Sequence, residues 1–239
     1  MKAKKIVSAL LILCLVWGYH YRISAQECSS LIPVKTGTKM EMKHYNAANQ
    51  LQSTTLTTVK SKTPTSKGYE VKVDVKSVTP GRKSDQEKSL TFKCEYGYLI
   101  WDMDDMMKEL LPQAGNNTMK DLEMKFSSVP LKFPAKLTVG QKLDDAEIRV
   151  TVMREGLAMA DVKTEFVNRK VEAVEKITTP AGTFNCYKIT YDLQSKSMFM
   201  NQLRQVDWMS EGVGIVKSES YDKSNKLMSY SVLSMFSDK

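Results

Sequence analysis

The sequence predicts a mainly β protein, an antiparallel sheet with one face on a core, covered by one or two short helices. Three observations carry that prediction. In "YEVKVDVKSV", Tyr69, Val71, Val73 and Val75 alternate with Glu70, Lys72, Asp74 and Lys76, the period of a strand with one buried and one wet face. Turn-forming clusters recur at short spacing, at Pro64–Gly68, Thr79–Gly81, Arg154–Gly156, Pro180–Gly182 and Asp222–Asn225, as an antiparallel sheet requires. A single helical stripe stands out in "WDMDDMMKELLPQ", where Met103, Met106, Met107, Leu110 and Leu111 fall at i, i+3, i+4, i+7 and i+8. Regular βα alternation is absent, which argues against a doubly wound nucleotide-binding fold.

Taken in order, the chain opens with an export signal. Lys2, Lys4 and Lys5 precede the apolar run Ile6–Trp17, and Ser24-Ala25 follows. A run of 12 residues is shorter than the roughly 20 that cross a membrane, so cleavage is expected after Ala25. Neither Cys14, after Leu13, nor Cys28, after Glu27, has the small preceding residue that a lipid-attachment site needs. The expected organisation is a signal peptide over residues 1–25 and one β-rich exported domain over residues 26–239. That domain is periplasmic or extracellular, with no transmembrane span after signal cleavage.

Within the expected mature chain, Met40–Tyr45, Leu90–Tyr96, Glu147–Val152 and Thr183–Leu193 also alternate and read as strands. Asp102 caps the striped helix, Asp104 and Asp105 suit its N-terminal dipole, and Pro112 limits it. A second short helix is expected near Met119–Met124. The proline- and glycine-bearing stretches "LPQAGNNTM" and "VPLKFPAKLTVGQKL" divide the chain near its middle, reading as two sheet halves around one core.

Composition excludes several chemistries. The net charge is +8, and four of the bases lie in the signal segment; the remainder is interspersed with acids, with no basic block that would point to nucleic acid. Beyond residue 25, one histidine, His44, and three cysteines without a C-x-x-C pair give no zinc pattern. Asp102, Asp104 and Asp105 lack the glycine and closing glutamate of a calcium loop. No G-x-S-x-G elbow is present, and "EGVGIVK" is too poor in glycine for a phosphate loop. No cofactor is expected, and the chain reads as non-enzymatic. Among Cys28, Cys94 and Cys186, three single-bridge pairings are open; Cys186, without a nearby base, reads as a buried strand residue or a disulfide partner. Fourteen of the fifteen methionines follow residue 25. Their spread favours core filling or an adaptable apolar surface over a copper site.

"PAGTFNCYKITYDL" and "VDWMSEGVGIVKSESYDKSNKLMSYSVL", with the opening segment Cys28–Leu51, resemble the TapB-like family of exported bacterial proteins of unknown function. The resemblance implies a curved sheet or half-barrel, akin by fold to the lipoprotein carrier LolA, which holds acyl chains in the concavity of its sheet. It brings no catalytic residues. The expectation is therefore a cell-envelope protein that binds a hydrophobic small molecule such as an acyl chain, with Trp101, Met103, Met106, Met107, Leu110 and Leu111 as lining or lid. The alternative is a structural or interaction module whose partner is another envelope protein.

Overall fold

The structure, a computed structural model, describes residues 31–81, 86–110, 122–196 and 201–238. The expected signal peptide, Cys28, Leu111 and Pro112 lie outside the described residues. Thirteen strands and one helix follow in the order β1 (Lys39–Asn46), β2 (Leu51–Thr65), β3 (Gly68–Val78), β4 (Gln86–Glu95), β5 (Tyr98–Trp101), α1 (Met103–Leu110), β6 (Leu122–Val129), β7 (Leu131–Pro134), β8 (Ala146–Arg154), β9 (Leu157–Thr179), β10 (Gly182–Lys196), β11 (Asn201–Ser210), β12 (Gly214–Asp222) and β13 (Leu227–Ser237).

All thirteen strands belong to one antiparallel sheet, ordered β6-β8-β9-β10-β11-β12-β13-β1-β2-β3-β4-β5-β7. The two outermost strands, β6 and β7, are separated in sequence only by Pro130. They form one extended segment, whose first part pairs with β8 and whose second part pairs with β5. Proline has no N–H to give to a ladder, and the change of partner falls at that residue. The sheet therefore curls almost into a closed barrel. The expected curved sheet or half-barrel is what forms, and the β6–β7 junction at Pro130 carries its curl nearly to closure.

The strand alternation sorts the faces. Val71, Val73, Leu90, Leu99, Leu131, Phe133 and Ile148 pack into the main buried cluster, while Glu70, Lys72, Glu123 and Lys125 look outward. Charge outside and hydrocarbon inside is the reverse of a lipid-facing barrel. No described helix is long and apolar enough to cross a membrane. A second cluster gathers Cys186, Val206, Trp208, Val213, Val216 and Leu233.

One expectation fails. Leu122–Met124, placed in a second helix by the sequence reading, belongs to β6. Its burial alternates residue by residue along Leu122–Val129, so the period of two, with Glu123 and Lys125 outward, governs the segment.

Candidate functional site

The helix positions the first part of the site. Asp102 caps α1, accepting from the Asp105 N–H at 3.4 Å, and Asp104 and Asp105 occupy the first turn. The stripe then faces inward: Met103 is 7% exposed, and Met106 and Met107 pack half-buried on the main cluster. Leu110 ends α1. Trp101, at the end of β5, sits between Phe92 of β4 and Phe133 of β7, with ring centroids 5.5 Å and 5.7 Å away. Its indole Nε1 is buried without a hydrogen-bond partner.

Beside Trp101 lies an apolar cavity of about 190 Å³. Cross-strand pairing builds its walls: Leu233 of β13 opposes Met42 of β1, which opposes Thr55 of β2. Thr57 opposes Met40 on one side and Val75 on the other. Phe92 and Trp101 also line it, as do Ile32, Pro33, Val213, Gly214 and Ile215. Trp101 thus lines the cavity as well as capping β5. Met103, Met106 and Met107 are not among its lining residues; they stand behind it, in the core that supports Trp101. No lining residue is ionisable; the lining side chains that carry a polar group are Thr55, Thr57 and Trp101.

His44 borders the site through Thr55. Its Nε2 lies 2.8 Å from Thr55 Oγ1 and its Nδ1 2.8 Å from Ser231 Oγ. Burial lowers its pKa below the usual histidine value, which keeps the imidazole neutral, one ring nitrogen donating and the other accepting.

A polar cluster that the sequence reading missed lies elsewhere in the interior. Asp207 Oδ1 accepts from Ser218 Oγ at 2.7 Å and Gln205 Nε2 at 3.2 Å, and Oδ2 accepts from Tyr191 Oη at 2.8 Å. Burial raises the Asp207 pKa despite these donors and the nearby Arg169 charge, and burial also pushes Tyr191 well above its ordinary value. Arg169 is 2% exposed; it donates to the Asp144 and Lys132 carbonyls and lies over the Phe133 ring. It turns inward next to Asn168, which takes a φ of 57°. No sequence motif announces this cluster, because its members come from β9, β10, β11 and β12.

The cysteines resolve into two roles. Cys94 is disulfide-bonded and Cys186 is free and buried, which excludes both pairings that involve Cys186. Burial, helped by Glu175, pushes the Cys186 thiol up to about 11. A protonated, enclosed thiol is a packing residue and a poor nucleophile. Among the described residues, no group of His, Cys, Asp and Glu is arranged to hold a metal ion.

The fold and cavity define a class: a nearly closed antiparallel β-barrel with a small uncharged interior space. The chain belongs to the DUF3108-like family, whose model matches residues 35–233. Two solved structures share the fold. One is a "putative exported protein with YmcC-like fold" from Bacteroides fragilis NCTC 9343, at 22% identity and a TM-score of 0.68, covering 88% of this chain and 100% of that one. The other is a "putative lipoprotein" from Parabacteroides distasonis ATCC 8503, at 24% identity and a TM-score of 0.70, covering 89% and 100%. No curated protein matches the chain. The likenesses to the TapB-like family and to LolA find no support in these matches.

Proposed function

We propose that this chain is a non-enzymatic cell-envelope protein that holds a small, uncharged apolar group in the cavity beside Trp101. The export signal read from residues 1–25 supports the address, as do the descriptions of the two structural neighbours as a putative exported protein and a putative lipoprotein. The observation that carries the binding reading is the cavity itself: about 190 Å³ with no ionisable residue on its wall. An apolar space of about 150 Å³ accepts benzene, so this one suits a group of roughly six to eight carbons. It is smaller than typical sites for drug-sized ligands, about 300 Å³ and up. A whole acyl chain would need Met40 and Met42 to repack, which their flexible thioethers permit. A charged head group inside the cavity would be desolvated without a partner, at a cost of several kcal/mol.

The test is a pair of matched ligands. 1-Hexanol is expected to raise the melting temperature in proportion to the logarithm of its concentration, and hexanoate at pH 8 is expected to do so far less. Equal shifts for the two, or none for either, would remove the reading.

A second reading, an interaction module of the envelope, is favoured by the β8–β9 hairpin. Leu157 and Met159 at its tip are 70% and 62% exposed, and the residues from Arg154 to Asp161 are exposed on both faces. Cross-linking from that tip in intact cells is expected to capture a specific neighbour if this reading holds; even, non-specific labelling would speak against it.

A further inference from the structure

We infer that the ligand is an amphiphile, with its apolar part in the cavity beside Trp101 and a neutral polyhydroxyl head held by two rows of hydroxyls on the same inner face. The inference rests on the binding reading above and deepens it. Met42, Thr55 and Leu233 line the cavity. One step further along their strands the inner face changes chemistry. His44 follows Met42 by two residues and Ser231 precedes Leu233 by two, a step of about 7 Å that keeps side chains on one face of a strand. His44 shows the shared face directly, since its Nε2 lies 2.8 Å from Oγ1 of the cavity-lining Thr55.

Cross-strand pairing extends that change into rows. Ser53 of β2 opposes His44 of β1, and His44 opposes Ser231 of β13. Ser231 opposes Ser218 of β12, and Ser218 opposes Asp207 of β11. Side chains join along this row: His44 Nδ1 lies 2.8 Å from Ser231 Oγ, and Ser218 Oγ donates to Asp207 Oδ1 at 2.7 Å. The next row runs from Ser229 through Ser220 to Gln205, with Ser220 Oγ donating to Gln205 Oε1. A wall that only packed against itself would carry hydrocarbon here, as Val71 and Val73 do elsewhere in the barrel. Instead His44, Ser218, Ser220 and Ser231 are half-buried and Ser229 is exposed, so a ligand head can reach the rows. Each hydroxyl donates once and accepts twice, so those bonded to His44 or Asp207 keep room for another partner.

The charges choose the head. Neither row carries a lysine or an arginine, and burial keeps His44 neutral, so an anionic head finds no counter-charge. Asp207 is buried and accepts from Ser218, Gln205 and Tyr191, so a cationic head finds none either. Groups that both donate and accept are matched by groups that do the same, which are hydroxyls. Glycerol and sugars both supply such a head.

The experiment is isothermal titration calorimetry with four probes: 1-hexanol, 1-O-hexylglycerol, hexyl β-D-glucoside and glycerol. A net hydrogen bond is worth about two- to tenfold in affinity, so at least one of the two headed probes is expected to bind about tenfold more tightly than 1-hexanol. The tighter of the two names the head as glycerol or sugar, and glycerol alone should not saturate. Ser231→Ala should weaken that headed probe about two- to tenfold with an unchanged Kd for 1-hexanol. Ser231→Thr, which keeps the hydroxyl, should restore the headed affinity. Tyr230→Phe, on the outer face, should change neither, and circular dichroism matching wild type confirms that each variant folds. Headed probes that bind no more tightly than 1-hexanol would overturn the inference and leave the cavity reading in place. A gain that survives in Ser231→Ala, or a loss shared equally by 1-hexanol, would also overturn it. Absence of saturable 1-hexanol binding to the wild-type protein would overturn the cavity reading and this inference with it.

Discussion

Leu233→Ala tests the cavity from its most buried wall. Leu233 is 1% exposed on β13, opposes Met42 across the β13–β1 pair and lines the cavity. The change removes three buried carbon groups, worth about 0.8 kcal/mol each in transfer, or about 2.4 kcal/mol. If the surroundings stay rigid, the lost groups open roughly 90 Å³, taking each as about the volume of a water molecule. At about 24 cal/mol per Å³ this adds roughly 2.2 kcal/mol. The predicted loss of stability therefore lies between about 2.4 kcal/mol for full collapse and about 4.6 kcal/mol for none. Urea unfolding followed by both circular dichroism and fluorescence is the assay, and the midpoint should fall at constant m. A rigid outcome has a second signature: the cavity grows from about 190 Å³ to roughly 280 Å³, and the preferred alkanol lengthens by two or three carbons. A loss below about 1 kcal/mol would refute the packing argument. A large loss with no change in preferred chain length would refute the claim that the ligand occupies this space.

Three further predictions follow from single residues. Gly68 has a φ of 153°, and a Cβ there would stand 2.2 Å from the Cys94 carbonyl oxygen; Gly68→Ala should lower the thermal midpoint by at least about 2–4 °C, as about 1 kcal/mol or more would in a domain of this size, and an unchanged midpoint would mean that β3 and β4 shift freely. The Cys186 thiol, held at about 11, should resist iodoacetamide at pH 8 in the folded state and react after denaturation; rapid labelling of native protein would contradict its burial. For Asp207 the folded pKa is raised above the unfolded value, so the folded state binds more protons and stability falls as pH rises from about 3.9 through the folded pKa. Asp207→Asn should remove that fall, which parallel denaturant titrations from pH 3.5 to 7 would detect as a difference between the two proteins that grows with pH and then levels.

Much of the fold was legible where burial follows the strand period. β3 shows it best, because nothing interrupts the succession Val71, Val73, Val75. β2 escaped the reading although it faces the same core, because Thr55 and Thr57, the residues it turns toward the cavity, carry hydroxyls rather than plain hydrocarbon. β9 escaped it for another reason. The φ of 57° at Asn168 and the register shifts against β10 exchange its two faces midway, so Phe166 and Val171 are both packed inward despite their opposite parity.

The site was legible in part for similar reasons. Helical spacing gave the Met103, Met106 and Met107 stripe, and Trp101 came with it as the neighbouring aromatic. The facing wall, Met40, Met42, Ile215 and Leu233, joins the first described strand to the last two. It exists only because β13 pairs with β1, a contact that no local pattern encodes. The Asp207, Tyr191 and Arg169 cluster was illegible for a different reason: each residue reads alone as an ordinary strand position, and only the pairing register of β9 to β12 brings them together.

The central claim is that a neutral apolar group binds inside the barrel, beside Trp101. Its most direct test is anomalous diffraction at the bromine edge from crystals soaked in 6-bromo-1-hexanol. The account predicts a bromine peak enclosed by Met42, Trp101 and Leu233, lost in crystals of a variant with Met42→Trp filling the space. Bromine found only on the outer surface, with the space beside Trp101 unchanged, would contradict it.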